Sequence, residues 1–519
     1  MSPAFLHRHV AAWLPLIAVI GLSACRPAAP TGSLPSPPPV ARLGRVKAVL
    51  INGGGQPAVN FQSHLTNVRT LVELLRRDGV AADDITIFSS DGSDPTPDLA
   101  TRDTNRDPDA WLLPAPVAHL LRPVQLVDST VDGFTLQPAT SAALHDWFER
   151  QGRRLRSGDT LLLYVTDHGE PNRNDLNNNT IVLWHDSLSV DQLRDLLAKL
   201  DPGVRVVMLM SQCYSGSFAN VPFAAPDGLA RHGDVCGYFA STADRPAYGC
   251  YPENRGRDGV GHSHQLFVAL DALGRMPEAE NRLLASDDTP DVPNTTSDFY
   301  LHQLLAREAT RDGRQPAEVA DQYIRQAFHT RAAWEPEIRL LDRVGSTFGM
   351  FSPRSLSELD LQTMMLPQVS TQLRTYAERW VQSLEALKEQ NFNRFLAAQP
   401  EWRPRVTAAA IQALDDAGRR ALTGQLVDAL GAYTATDAHT SERLRKLKQR
   451  ADAASAAAYR MEVRLGVVLR MRALLEQVAG RTYLQEHGGA DERDTYAALR
   501  ACEDVTFIDG PPVQSAALM

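Results

Sequence analysis

A histidine and a cysteine stand 45 residues apart in this chain, each directly after a run of apolar residues. His168 follows Thr160-Leu161-Leu162-Leu163-Tyr164-Val165 in the stretch Thr166-Asp167-His168-Gly169. Cys213 follows Val204 to Met210 in the stretch Ser211-Gln212-Cys213-Tyr214-Ser215-Gly216-Ser217. A thiolate attacks a carbonyl carbon, and an imidazole carries the proton to the leaving amine. If the two runs are neighbouring strands of one parallel sheet, both side chains emerge at its carboxyl edge, where sites in such sheets form. Gly169 has no side chain, so its N–H could approach a substrate oxygen, with the Cys213 N–H as second donor of an oxyanion hole. A helix beginning just after Cys213 would favour the thiolate through its dipole. Taken singly, such a cysteine reads as a small buried hydrophobe and such a histidine as a surface or satisfied core residue. The pair at matched strand ends, flanked by small residues, is what points to nucleophilic catalysis.

The surrounding elements have the pattern needed to hold these strand ends. Val46 to Ile51 is a short apolar run closed by Asn52-Gly53-Gly54-Gly55. The glycines lack both G-x-G-x-x-G spacing and a following G-K-[ST], so they read as a tight turn rather than a phosphate cradle. Leu65, Val68, Leu71, Val72 and Leu75 repeat at helical spacing between Phe61 and Arg77, and Gly79 stops that helix. Ile85–Phe88, Thr180–Trp184 and Gly237–Ala240 read as further strands, and Ala139–Arg150 as a helix. Ser189 and Gln192 form a capping-box signature for a helix running to Leu200. Residues 90–135, rich in Asp, Pro and Thr, read as an insertion. Continuously apolar strands alternating with helices predict an α/β fold, a mostly parallel sheet covered on both faces.

At this point the sequence resembles a known family. Tyr164-Val165-Thr166-Asp167-His168-Gly169 and Gln212-Cys213-Tyr214-Ser215-Gly216-Ser217 look like the two catalytic motifs of the legumain family, which includes asparaginyl endopeptidases and the catalytic subunit of the GPI transamidase. Asn60-Phe61-Gln62-Ser63-His64 resembles the family's N-Y-R-H segment, and Tyr238-Phe239-Ala240-Ser241-Thr242-Ala243 its Y-A-T-T-A strand. The resemblance covers about residues 45–275 and implies a caspase-like three-layer α/β/α sandwich. It implies His168 as acid and base, Cys213 as nucleophile, Gly169 in the oxyanion hole, and Asn60 as the residue that orients the histidine. It also directs attention to substrate binding. Where legumains carry an arginine this chain offers Gln62 or Ser63, and where a later L-G-D segment carries its acid this chain has His262.

The ends of the chain read differently. Arg8, an apolar run from Val10 to Leu22, and Leu22-Ser23-Ala24-Cys25 resemble a bacterial lipoprotein leader over residues 1–25, with Cys25 as the lipidated residue. An ordinary secretory signal with a chance cysteine is the alternative. Lipid on Cys25 would give a membrane-surface address, and Arg26 after it points to the outer membrane by the enteric sorting pattern. Prolines at 27, 30, 35, 37, 38 and 39 make residues 26–44 an extended tether. From about 355 strand signals fade. Leu373, Tyr376, Trp380, Leu384 and Leu387 form one apolar stripe, and Met461, Leu465, Val468, Met471, Leu475 and Val478 another. The expected division is a peptidase domain over 45–345 and a helical domain over 355–519. The helical part would be a bundle core, with a protein partner as the sharper reading, while Arg464, Arg470 and Arg472 exclude a membrane span there.

Composition narrows the classes. The chain has 519 residues, 43% hydrophobic and 22% charged, with net charge −9. That excludes wholesale disorder and offers no global basic field for nucleic acid. No cofactor or metal is called for. Asp103, Asn105, Asp107 and Asp109 alternate like calcium ligands but lack the loop glycine and distal Glu, so a solvated acidic loop is favoured. His185 and His264, like His262, fall in regions that could border the site. Cys236 and Cys250, 14 residues apart, either form a disulfide or remain two buried thiols, and Cys502 has no evident partner. The sequence thus predicts an envelope-anchored cysteine endopeptidase acting on peptides or proteins. A transpeptidase with the same dyad and a non-catalytic envelope scaffold are the alternatives.

Overall fold

The computed structural model describes residues 45–102, 108–225, 228–231, 233–252, 259, 261–330 and 334–505. Cys25, the leader, the tether, and Asp103, Asn105 and Asp107 of the acidic loop lie outside the described residues.

The central sheet has strands β1 (Val46–Asn52), β2 (Ile85–Ser89), β3 (Thr160–Thr166), β4 (Arg205–Met210), β5 (Asp234–Phe239) and β6 (Asn294–Thr295), in the order β6-β5-β4-β3-β1-β2. All neighbouring pairs are parallel except β5–β6. Every residue of β3 is buried, which is why its sequence runs apolar without alternation. Its side chains nevertheless divide by parity. Leu161, Leu163 and Val165 pack with helices α2 (Ser141–Arg150) and α3 (Val190–Leu197) through Leu144, Phe148, Leu193 and Leu196. Leu162 and Tyr164 pack on the other face with α1 (Gln62–Arg77), α4 (His262–Leu273) and α5 (Met276–Ser286) through Leu65, Leu71, Phe267 and Leu283. The result is the three-layer α/β/α sandwich expected. Each such buried aliphatic side chain contributes about 1.5–3 kcal/mol, so the strand ends are anchored in a buried core on both faces of the sheet.

One expected strand lies elsewhere. Thr180–Leu183 pairs with Gly169–Glu170 and Asp186–Ser189 in a small antiparallel sheet. Its burial alternates, with Ile181 and Leu183 inside and Thr180 and Val182 half-buried, the signature of a strand covered on one face. The capping box is present: Ser189 Oγ accepts from the Gln192 N–H at 3.3 Å and the Ser189 N–H donates to Gln192 Oε1 at 2.8 Å.

The C-terminal part is helical. Helix α6 (Thr296–Asp312) is followed, after three further helices, by the long helices α7 (Leu366–Ala398), α8 (Asp416–Thr436) and α9 (Ala438–Glu486), and by α10 (Ala490–Glu503). The 49 residues of α9 extend about 73 Å at 1.5 Å per residue. Leu384 and Leu387 of α7 meet Leu444 and Ala451 of α9, so the two form a paired arm. The insertion reaches this arm: Leu113 and Leu121 pack with Phe392, Phe395, Leu426 and Leu430. No described helix is long and apolar enough to cross a membrane.

The boundary expected at 345–355 is not a boundary in packing. Leu304, Ile324, Leu341 and Val344 share one core with Leu356, Leu359, Met471, Leu474 and Leu499. Helix α10 then returns to the central sheet, where Tyr238 Oη donates to the Glu503 carbonyl at 2.8 Å. There Cys236 forms a disulfide with Cys502, 266 residues away. This corrects the pairing considered for Cys236 and Cys250. Cys236 sits in mid-strand and points sideways into the helical face. Cys250 lies eleven residues past the strand end, beyond the carboxyl edge.

Candidate active site

Strands β3 and β4 are hydrogen-bonded neighbours, and their last register pair is Val165–Met210. The Ser211 N–H donates to the Val165 carbonyl at 2.8 Å, carrying the pairing one residue further. The chain then turns sharply on both strands: Asp167 has φ 84° and Tyr214 has φ 60°. Left-handed backbone at non-glycine residues costs free energy and persists only where the surroundings enforce it. Here it brings the His168 and Cys213 loops out side by side.

His168 is held from two sides. Its carbonyl accepts the Val182 N–H at 3.0 Å, so the small antiparallel sheet braces the loop. Its ring Nε2 lies 3.0 Å from the Val59 carbonyl and 3.3 Å from Asp167 Oδ1. A carbonyl only accepts, so Nε2 carries the proton and Nδ1 keeps the lone pair. The rings of Phe61 and His64 meet it edge-on, each at 5.8 Å. The orienting group is therefore the Val59 carbonyl, a correction to the role the resemblance gave Asn60. The Asn60 amide is spent elsewhere. It donates to Ser90 Oγ at 2.8 Å and the Asp98 carbonyl at 2.9 Å, and it accepts from Asn52 Nδ2 at 3.2 Å. Asn60 locks the loop that presents Val59.

Gly169 has to be glycine. A Cβ there would fall 2.1 Å from the Cys213 carbonyl oxygen. The close approach lets the Gly169 main chain hydrogen-bond to the Cys213 sulfur, one of the effects that hold this thiol at about 6, below its ordinary 9.0. The largest of those effects is a hydrogen bond from Cys250, opposed by burial and aided by the Ala247 main chain and by His168. The helix dipole expected behind Cys213 is absent, because the chain enters only a six-residue 3-10 turn, Ser215–Asn220.

Beside the sulfur lies a polar pocket lined by His64, Asp167, Ser211, Tyr248, Cys250 and His262 among others. Burial pushes His64 down to about 4 and His262 to about 3, so both rings are neutral at ordinary pH. His262 Nδ1 lies 3.1 Å from Ser211 Oγ. His64 Nε2, His262 Nε2 and both Asp167 carboxylate oxygens have no hydrogen-bond partner within the described residues. His64 Nε2 faces Asp167 Oδ1 at 3.7 Å, and the pocket presents these polar atoms beside the Cys213 sulfur. Gln62 and Ser63, expected as substrate contacts, do not line it. Gln62 Nε2 reaches Thr66 Oγ1 at 3.4 Å, and Ser63 Oγ accepts the Tyr251 N–H at 3.2 Å. Helical geometry explains this: successive residues of a helix point some 100° apart, and of these three His64 is the one that reaches the pocket. His185 and His264 also lie off the lining.

Two positioning groups escaped the sequence reading. Asn179 is fully buried, and its Nδ2 donates to the Ala243 carbonyl at 2.8 Å and lies 3.4 Å from that of Tyr214. Its Oδ1 accepts the Asn172 N–H at 2.8 Å. The Asn-rich stretch after His168 is thus a tie between the histidine loop and the cysteine loop. Arg470 of α9 is the second. Its guanidinium is fully buried and donates to the carbonyls of Asp287, Thr289 and Asp291 at 2.6–2.8 Å. Asp291 in turn accepts the Tyr248 N–H at 2.7 Å. Burial raises the Asp291 carboxyl to about 8. Only its density of carbonyl partners marks Arg470, and those partners lie about 180 residues away.

Residues 48–269 match the sequence profile of the Peptidase C13 family, a span that holds both His168 and Cys213. Among solved structures, protein GSU0716 of Geobacter sulfurreducens is similar at 14% identity over 49% of this chain and 92% of that chain, with a TM-score of 0.31. Caspase-1 of Spodoptera frugiperda is similar at 13% identity over 51% of this chain and 91% of its own, with a TM-score of 0.28. No curated protein matches the chain in a sequence search.

Proposed function

We propose that residues 48–269, which match the Peptidase C13 family profile, form a legumain-like cysteine endopeptidase working through Cys213 and His168. The observation that carries the reading is the juxtaposition of the two loops. They leave neighbouring parallel strands at the same register, and Gly169 sits against the Cys213 main chain. The Cys213 thiolate attacks the carbonyl carbon of a peptide bond. The Gly169 and Cys213 N–H groups receive the developing oxyanion. His168 gives its proton to the leaving amine, and then takes one from the water that hydrolyses the thioester. The proton taken up first comes from the thiol itself, so the cycle returns the site to its starting state.

The pocket beside Cys213 receives the side chain before the cleaved bond. Its lining is neutral imidazole, hydroxyl and carboxylate, which suits a polar side chain that donates hydrogen bonds. Lipid on Cys25 holds the enzyme at the periplasmic side of a bacterial outer membrane, with residues 26–44 as the spacer. The test uses the mature chain, a peptide library and mass spectrometry, with Cys213→Ala alongside. Cleavage that disappears in the variant is the expected result. Cleavage that persists in Cys213→Ala would sink the reading, and products carrying an added amine would redirect it to transpeptidation.

A further inference from the structure

Cys250 carries a thiol that peptide cleavage does not use, and the fold delivers it to the nucleophile. Cys250 and Cys213 line the same small pocket, and the Cys250 thiol is the largest influence on that of Cys213. Neither is in a disulfide, although the same chain forms one between Cys236 and Cys502. The segment bearing Cys250 is fixed over the site at several points. The Cys213 sulfur lies 3.7 Å from the Ala247 carbonyl. The Tyr248 N–H donates to Asp291 Oδ1 at 2.7 Å, and the Tyr248 ring meets that of Tyr459 on α9 at 5.6 Å. One residue past the cysteine, the Tyr251 N–H donates to Ser63 Oγ at 3.2 Å and the Tyr251 carbonyl accepts the Ser63 N–H at 3.4 Å. Cys250 is therefore held against Cys213 from both sides rather than passing near it on a free loop. It is also an exposed residue, whereas Cys236 and Cys502 are fully buried.

We infer that Cys250 is a resolving thiol for Cys213, so that oxidation closes a Cys213–Cys250 disulfide that switches the peptidase off and reduction switches it on. The inference rests on the proposed nucleophilic role of Cys213 and adds its regulation. The oxidant is a disulfide of the kind that must also have oxidised Cys236 and Cys502. The Cys213 thiolate attacks one sulfur of the donor, forming a mixed disulfide and releasing one donor thiolate. Cys250 then loses its proton and attacks the Cys213 sulfur, expelling the second donor thiolate. Two protein thiols are oxidised to one disulfide, the donor disulfide is reduced to two thiols, and the two protons pass to the released thiolates. The order follows from the electrostatics. Cys213 ionises first, while Cys250 is held protonated by its hydrogen bond to Cys213, by burial of its thiol and by the neighbouring charges. Capping Cys213 removes the charge that held the Cys250 proton in place, which frees Cys250 to attack.

The experiment treats the full mature chain with oxidised glutathione, blocks remaining thiols, and digests with chymotrypsin. Cuts after Tyr238 and Phe239 separate Cys236 from Cys250. Mass spectrometry of the wild type is expected to show a Cys213–Cys250 linked peptide and no lasting glutathione on Cys213. Cys250→Ser is expected to keep the glutathione adduct on Cys213, since nothing resolves it. In the same samples peptide cleavage should fall at least tenfold on oxidation of the wild type and return with dithiothreitol. Glutathione persisting on Cys213 in the wild type with Cys250 unlinked would overturn the inference, without involving any variant. The linkage readout needs no activity. A linked pair in a chain that cleaves nothing in either redox state would count against the peptidase reading alone. An active enzyme with no linkage would count against the resolving thiol alone.

Discussion

Cys236 and Cys502 are 266 residues apart, both fully buried and joined by a disulfide. Cys213 and Cys250 are 37 residues apart, open to solvent on one side and unjoined. The first pair lies on the face of the sheet, where a helix from the far end of the chain is packed against β5. The second lies at the carboxyl edge, where the backbone is strained at Asp167 and Tyr214 and several polar atoms are unpaired. A bond in the packed interior constrains the unfolded chain and is shielded from reductants. A bond at the edge would constrain little and would remove the thiol proposed as the nucleophile. The same covalent chemistry is thus structural at one place and regulatory at the other, and the difference is set by burial and by what else each sulfur has to do.

The comparison can be broken most decisively at the edge. His168→Ala is expected to lower kcat/KM about 10³-fold, measured on the best peptide from the library. The fold should hold, since the ring is partly exposed and its loop is braced by main-chain bonds. Full activity in that variant would remove the edge from consideration as the reacting centre. The interior pair comes next. Cys502→Ser should cost about 2–5 kcal/mol in urea unfolding, with unchanged kcat/KM per folded molecule. A loss of activity without a loss of stability would mean that α10 serves the site rather than the fold.

Gly169→Ala separates the two regions more finely. The added methyl collides with the Cys213 carbonyl, so kcat is expected to fall about 10²-fold, the scale for a displaced oxyanion donor. Gly158→Ala, also near β3 but with open space around its Cβ and φ 92°, should cost only about 1 kcal/mol of stability and leave kcat alone. The smallest effect is a shift in pH. Cys213 is held near 6 rather than 9.0, so its thiolate predominates above pH 6 and is lost as pH falls through that value. The alkylation rate of Cys213 by iodoacetamide should therefore rise through about pH 6. In Cys250→Ala the midpoint should move upward, because the largest cause of the depression is gone. An unmoved midpoint would show that Cys250 does not govern the nucleophile.

Much of the edge was legible before the fold was known. The runs ending at Val165 and Met210 are almost wholly apolar, as strands covered on both faces are; the residues just past such strands gather at one edge. Gly169 was legible for the same reason, since a glycine between a strand and a putting-out loop marks a close backbone approach. The misreadings are also instructive. Asn60, Gln62 and Ser63 were chosen by position in a motif, but which residue there reaches the pocket is fixed by packing, and it is His64. Thr180–Leu183 had the strand composition and went to a different sheet, because only its alternation, not its apolarity, told how many faces would be covered.

What the sequence determined alone is therefore local: the strands, the capping box at Ser189, a glycine directly after the histidine, and the types of group that could cleave a peptide bond. Those follow from side-chain chemistry and from periods of two and 3.6 residues, which act over a few neighbours. The tertiary structure decided everything that depends on distant parts of the chain meeting. It put Cys502 on Cys236, Arg470 under the segment that holds Tyr248, Asn179 between the His168 and Cys213 loops, and Cys250 beside Cys213 in one pocket. Each of those contacts joins residues separated by tens to hundreds of positions, and composition carries no record of which of many compatible partners the folded chain will bring within reach.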